Sequence, residues 1–128
     1  MQGGNLTIVE SSIGTRWQIE TAGALLFLED VGEKGYRIDR SLNHLRQAGL
    51  LNHVEGIIFG ECSGPDEKGI RVAIERFAHE TPIPVYQTDQ FGHGQINYPI
   101  MYHAAAEIIP ARDSTDYQLL MNITHHVD

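Results

Sequence analysis

Three stretches of the chain are apolar at nearly every position: residues 23–28 (Gly-Ala-Leu-Leu-Phe-Leu), 54–60 (Val-Glu-Gly-Ile-Ile-Phe-Gly) and 83–86 (Ile-Pro-Val-Tyr). An alternating strand buries one face, whereas a strand apolar throughout is buried on both, as in parallel sheets covered by helices on both sides. Between them lie two helical patterns. In residues 36–51, Ile38, Leu42 and Leu45 recur at i, i+4 and i+7 with Arg37, Asp39, Arg40, Asn43 and Arg46 on the wet face, and Gly49 supplies a C-terminal stop. In residues 69–79, Ile70, Ile74 and Phe77 repeat that spacing, with Asp66 as the candidate N-cap and Thr81-Pro82 as the terminator. The order strand, helix, strand, helix, strand predicts two right-handed crossover units and a parallel βαβαβ core.

The flanks carry a different pattern. Residues 6–9, 98–109 and 117–123 read as strands, and the last two have no helix between them. Their connection, residues 110–116, has the Pro, Asp and Ser content of a hairpin loop. The expected fold class is therefore α/β, a parallel core with added antiparallel strands.

Composition narrows the function. At 128 residues the chain has the length of a single domain, 1–128, so any activity must fit one core or be shared with further sequence. Lys plus Arg number 9 against 17 Asp plus Glu, a formal charge of −8 with no basic run, which argues against nucleic acid and anionic membrane surfaces as partners. The longest apolar stretch, residues 22–28, falls far short of the roughly 20 needed to cross a bilayer. Residues 1–6 have neither half of a secretory signal, and Gly3-Gly4 reads as a linker opened at its start. The single cysteine, Cys62, can form no intramolecular disulfide, which fits a reducing compartment.

Ligands of parallel sheets bind beyond the carboxyl ends of the strands, which singles out two positions. Glu29, with Asp30, comes directly after the first apolar strand, and His93 follows the third between Gly92 and Gly94. A carboxylate that fixes one imidazole nitrogen leaves the other free as a base, the orienting half of a nucleophile–base–acid triad. Taken singly, Glu29-Asp30 also fits a solvated turn or a helix cap, and Gly-His-Gly a tight turn.

A metal site through His93, His103, His125 and His126 is the other chemistry seven histidines suggest. No pair has the i, i+4 spacing of a helical ligand motif, so no metal and no cofactor is expected. Cys62 has acidic Glu61 beside it and nothing to lower its pKa, so it reads as incidental. A nucleophile is missing as well. Ser11 and Ser12 read as part of a β-edge, Ser41 as helical and Ser63 as a loop residue; none of these, nor Ser114, lies in a Gly-x-Ser-x-Gly elbow.

The ordered motifs Gly3-Gly4-Asn5-Leu6-Thr7, Leu26-Phe27-Leu28-Glu29-Asp30-Val31-Gly32-Glu33, Tyr36-Arg37-Ile38-Asp39-Arg40, Leu45-Arg46-Gln47-Ala48-Gly49, Gly56-Ile57-Ile58-Phe59-Gly60 and Phe91-Gly92-His93-Gly94 add a family. Over residues 3–123 the chain resembles the C-terminal domain of the LD-carboxypeptidases (muramoyltetrapeptide carboxypeptidases), serine peptidases grouped with the microcin C immunity proteins. The resemblance implies a swivelling β/β/α domain whose Glu29 and His93 complete a Ser-Glu-His triad, the serine and oxyanion hole lying on an N-terminal domain. It implies murein tetrapeptide as substrate, cut before its terminal D-alanine in cytoplasmic peptidoglycan recycling, with the isolated domain inactive. Phe91-Gly92-His93 favours the carboxypeptidase branch over the immunity branch. One departure is Met101, which follows Tyr98-Pro99-Ile100 where the family has Gly. Two rival expectations stand beside this one: a non-catalytic interaction or homodimerisation module, and a metal hydrolase built on His93, His103 and Glu29. In the module reading the edge strands and acidic surface matter more than Glu29 and His93, and it gains if those two residues do not share a face or cannot reach hydrogen-bonding range once a partner domain closes on them.

Overall fold

The structure is a computed structural model that describes residues 1–122. Strands β1 (Gln2–Asn5), β2 (Leu25–Val31), β3 (Gly56–Ser63) and β4 (Val85–Gly92) form one parallel sheet in the order β1-β2-β3-β4. They are joined through helices α1 (Leu6–Ser11), α2 (Gly35–Gln47) and α3 (Glu67–Glu80). The antiparallel pair β5 (Ala105–Pro110) and β6 (Tyr117–Asn122) forms a separate two-stranded ribbon.

The layering follows from the strand order. Each connection steps one place in the same direction, so crossovers of one hand deposit every helix on one face. That face is the main core: Leu26, Leu28, Ile57 and Phe59 of the sheet pack on Leu6 and Val9 of α1, Ile38, Leu42 and Leu45 of α2, and Ile70, Ile74 and Phe77 of α3. Phe59 meets Phe77 edge to face, centroids 6.2 Å apart. The alternate positions Phe27 and Ile58 turn to the other face and pack, with Tyr86, against Ala106, Ile108, Leu119 and Met121 of the ribbon. The apolar strands are indeed covered twice, but the second cover is the ribbon and not the expected second helix layer. The result is a β/β/α stack.

Local chemistry sets the ends of α2 and α3. Asp66 caps α3 by accepting from Gly69 N (3.1 Å) and also accepts from Gly35 N, the first residue of α2, at 3.1 Å. The two helix starts cross so closely there that a Cβ on Gly35 would run into the Gly69 backbone. Helix α2 ends in a Schellman motif: Gly49, at φ +79°, donates to Arg46 O, and Leu50 donates to Leu45 O.

Several expectations are corrected. Residues 6–9 are not a strand but most of α1, which puts Ser11 in a helix and Ser12 at its C-cap. Asn5 caps α1 through Ile8 N (3.2 Å), and Asp30 accepts from both Thr7 N (3.0 Å) and the Thr7 hydroxyl (2.8 Å), so the Thr7 and Ile8 donors at the helix start are satisfied. Gly3-Gly4 is no linker but the centre of β1, paired with Phe27 and Leu28; Gly3 has φ +129°, and a Cβ there would strike the Phe27 carbonyl. Of residues 98–109, only those from Ala105 onward are strand, because Pro99 and the left-handed His103 (φ +61°) interrupt the preceding stretch. Strands β2 and β3 also run further than their apolar stretches, so Glu29 and Asp30 lie within β2 and Ser63 ends β3. Ile123, His125 and His126 lie outside the described residues. No described helix is long and apolar enough to cross a membrane.

Candidate active site

Period-2 alternation along β2 places Phe27 and Glu29 on the ribbon face and Leu28 and Asp30 on the helix face. Glu29 is 6% exposed, a burial that an unpaired carboxylate would not tolerate. Its partner is His93, the residue directly after β4, whose Nδ1 lies 2.6 Å from Glu29 Oε2. An ionised carboxylate only accepts, which assigns a proton to Nδ1 and, in the neutral imidazole, leaves Nε2 with a free lone pair. The two residues are 64 apart in sequence and one hydrogen bond apart in space. The imidazole side chain is 54% exposed against 8% for the Glu29 side chain, so the carboxylate is buried and the imidazole faces outward.

Glycines make this approach possible. Gly92 has φ +105°, and a Cβ on it would lie 3.2 Å from Glu61 N and 3.3 Å from Glu29 Cβ, a squeeze at the base of the side chain that holds the imidazole. A Cβ on Gly94 would collide with the Glu61 carboxylate. The loop is pinned further on, where Gly92 N donates to Asn97 Oδ1 (3.3 Å) and Tyr98 N to Gln90 O (2.9 Å).

The dyad lies in a cleft of about 360 Å³ whose wall includes Asn5, Asn97, Tyr98, Ile100 and Tyr102. None of these wall residues carries a role in the sequence reading: Asn5, Tyr98 and Ile100 enter it only within family motifs, and Asn97 and Tyr102 not by name. Tyr98 and Tyr102 are spaced i, i+4 in a stretch read as strand, a pattern that carries no meaning until the chain is seen to coil there. Burial, reinforced by the Glu29 carboxylate, pushes the Tyr102 phenol above its ordinary pKa, so it remains a neutral donor.

The other candidates do not join the site. Asp30 serves α1, as described above. His103 Nδ1 is 3.0 Å from Gln2 Nε2, and among the described residues no three His, Cys, Asp or Glu side chains converge as a metal site requires. Burial is the main cause that raises the Cys62 thiol to about 12, with Asp30, Glu29 and Glu61 adding to it, so the residue is inert at neutral pH. No serine lines the cleft: Ser11, Ser12 and Ser41 hydroxyls are bound to Thr7 O, Val9 O and Glu10 Oε2.

The LD-carboxypeptidase C-terminal domain family model matches residues 1–108, a span that holds both Glu29 and His93. The chain belongs to this family. A Rickettsia conorii protein that bears a carboxypeptidase name is 46% identical to this LD-carboxypeptidase domain over 123 residues, 96% of the chain and 38% of the relative. The murein tetrapeptide carboxypeptidase of Pseudomonas aeruginosa is 34% identical over 100 residues, covering 74% of the chain and 33% of the relative. The chain thus spans little more than a third of the relatives it matches. In fold, it superposes on a muramoyltetrapeptide carboxypeptidase from Oxalobacter formigenes with a TM-score of 0.81 at 24% identity, over 94% of this chain and 44% of that one. A microcin C7 self-immunity protein gives a TM-score of 0.60 at 21% identity, over 74% of this chain and 30% of that one.

Proposed function

We propose that this domain supplies the base and the orienting carboxylate of a serine carboxypeptidase that releases D-alanine from murein tetrapeptide. The observation that carries the reading is the 2.6 Å bond between buried Glu29 and half-exposed His93, with Nε2 left free. The serine comes from the remainder of the full-length protein, since no serine of this domain lines the cleft.

The chemistry then runs in two steps. As the serine oxygen bonds to the carbonyl carbon on the L-centre, its proton passes to His93 Nε2, and Glu29 stabilises the resulting imidazolium. The carbon–nitrogen bond breaks as Nε2 returns that proton to the departing amine of D-alanine. Water, deprotonated by the same nitrogen, then attacks the acyl carbon, and the carbon–oxygen bond to the serine breaks as Nε2 returns that proton to the serine oxygen. The setting we propose is the cytoplasmic recycling of wall peptides. The substrate class is supported by the name of the Pseudomonas aeruginosa relative and by membership of the family.

The test is D-alanine release from murein tetrapeptide by the full-length protein. His93→Ala in that context should lower kcat by roughly 10⁴–10⁶, the range that loss of a triad base produces. Turnover by residues 1–128 alone would overturn the shared-site reading.

A further inference from the structure

In a triad enzyme the base hands its proton to the leaving amine, so the leaving group must lie on the histidine side of the site. Here that side belongs to this chain. The wall of the cleft beside His93 comes from the coil after β4, and its polar side chains are all neutral: Asn97, Tyr98 and Tyr102, with no Lys or Arg among the lining residues. Asn97 spends its Oδ1 on Gly92 N, which leaves its amide NH₂ without a partner among the described residues. The phenol hydroxyl of Tyr102 has no described hydrogen bond either, and the backbone directly after the residue is anchored to the start of the chain. His103 N donates to Met1 O (2.9 Å), Met1 N to Ala104 O (2.8 Å), and His103 takes the left-handed conformation that turns the chain there. A non-glycine residue at positive φ is a cost that a packed surrounding must sustain, and such residues gather at binding sites.

We propose that Asn97 and Tyr102 hold the terminal carboxylate of the leaving D-amino acid, through neutral hydrogen bonds on the histidine side of the cleft. The inference rests on the carboxypeptidase reading above and names the subsite that makes it a carboxypeptidase. An acceptor-only carboxylate matches two unspent donors, and the phenol keeps its proton because burial and Glu29 both oppose its ionisation. The Glu29 charge does not exclude a second anion. It is buried and bonded to His93, and once His93 has taken the serine proton the pair is neutral overall, with its positive end toward the cleft. Ile100, also on the wall, offers apolar contact to a small side chain.

The experiment compares two substrates on full-length enzyme: the tetrapeptide ending in D-alanine with a free carboxylate, and the same peptide ending in D-alaninamide. The wild type should prefer the carboxylate. Tyr102→Phe should cut that preference in kcat/KM about tenfold, chiefly through KM, because one donor is lost. Asn97→Asp keeps an oxygen for Gly92 N but turns the donor into an anion, and should cut it by about a hundredfold or more. Far-UV circular dichroism and the urea midpoint of each variant report whether it folds, and if Tyr102→Phe does not fold the Asn97→Asp ratio decides. A wild type indifferent to the terminal group, or variants with an unchanged ratio, would overturn the assignment while leaving the carboxypeptidase reading intact. A full-length protein that cleaves neither substrate, releasing neither D-alanine nor D-alaninamide, overturns both.

Discussion

Glu29 and Asp30 are neighbours in the chain and serve opposite faces of β2. Glu29 is bonded across the ribbon face to His93, while Asp30, 3% exposed, binds Thr7 N, the Thr7 hydroxyl and Asn5 Nδ2 on the helix face. One strand therefore separates a carboxylate paired to a half-exposed imidazole from a carboxylate spent on a helix start, and substitution should separate the two effects.

Asp30→Ala strips the start of α1 of its acceptor and leaves the Thr7 donors facing a cavity. A loss of roughly 2–4 kcal/mol of stability is expected, at the level of a charged, buried hydrogen-bond partner removed. Urea denaturation of the domain measures it. The folded fraction in the full-length enzyme should still release D-alanine, since the Glu29–His93 contact does not pass through Asp30.

Asp66 is the second structural carboxylate, the shared cap of α2 and α3. Asp66→Ala should cost about 1–3 kcal/mol, the loss of one cap and of one further anchor. Gly35→Ala should cost at least as much by a different route, because the new methyl meets the Gly69 backbone and not a flexible side chain. Denaturation midpoints of the two variants test the pair, and a near-neutral Gly35→Ala would contradict the close helix crossing.

Cys62 gives a prediction with a sign. Its thiol is raised from 9.0 to about 12 in the folded domain, first by burial and then by the surrounding carboxylates. Below pH 9 both folded and unfolded thiols keep the proton, so the group adds no slope there. Above it, the unfolded thiol ionises and the folded one does not, so stability falls as pH rises from about 9 toward 12. Cys62→Ala should flatten that alkaline decline in urea midpoints. At pH 8 the folded thiol should resist iodoacetamide and react on unfolding, because only about one thiol in 10⁴ is ionised.

The elements legible in the sequence were those whose stabilising partners lie within their own pattern. Ile38, Leu42 and Leu45 announce α2 without reference to anything else, and Gly49 announces its end. Helix α1 was not legible, because Thr7, Ile8 and Val9 favour a strand locally and its capping carboxylate, Asp30, lies 23 residues away. The same holds for β2, which outlasts its apolar stretch because Glu29 and Asp30 are satisfied by partners far along the chain. The ribbon's place over the sheet depends on which face the helices leave bare, and only the strand order reveals that. The positions of Glu29 and His93 were legible from strand ends and glycines; their mutual contact, and the Asn97–Tyr102 wall beside it, depend on a coil that no periodicity describes.

The decisive substitution at the dyad is Glu29→Gln, which alters charge and tautomer with almost no change in shape. A carboxylate can only accept from Nδ1, whereas an amide can present its NH₂ to that nitrogen and drive the proton to Nε2. The nitrogen that should receive the serine proton would then already hold one. The imidazolium would in addition lose its buried counter-charge. Together these predict a fall of about 10⁴ in kcat for D-alanine release by the full-length enzyme, with KM little changed. Stability should hold or rise, since the substituted amide is a neutral group where the wild type buries a charge. A variant retaining more than a tenth of wild-type kcat would show that Glu29 only fills space beside His93, and the base would have to be oriented by the other domain.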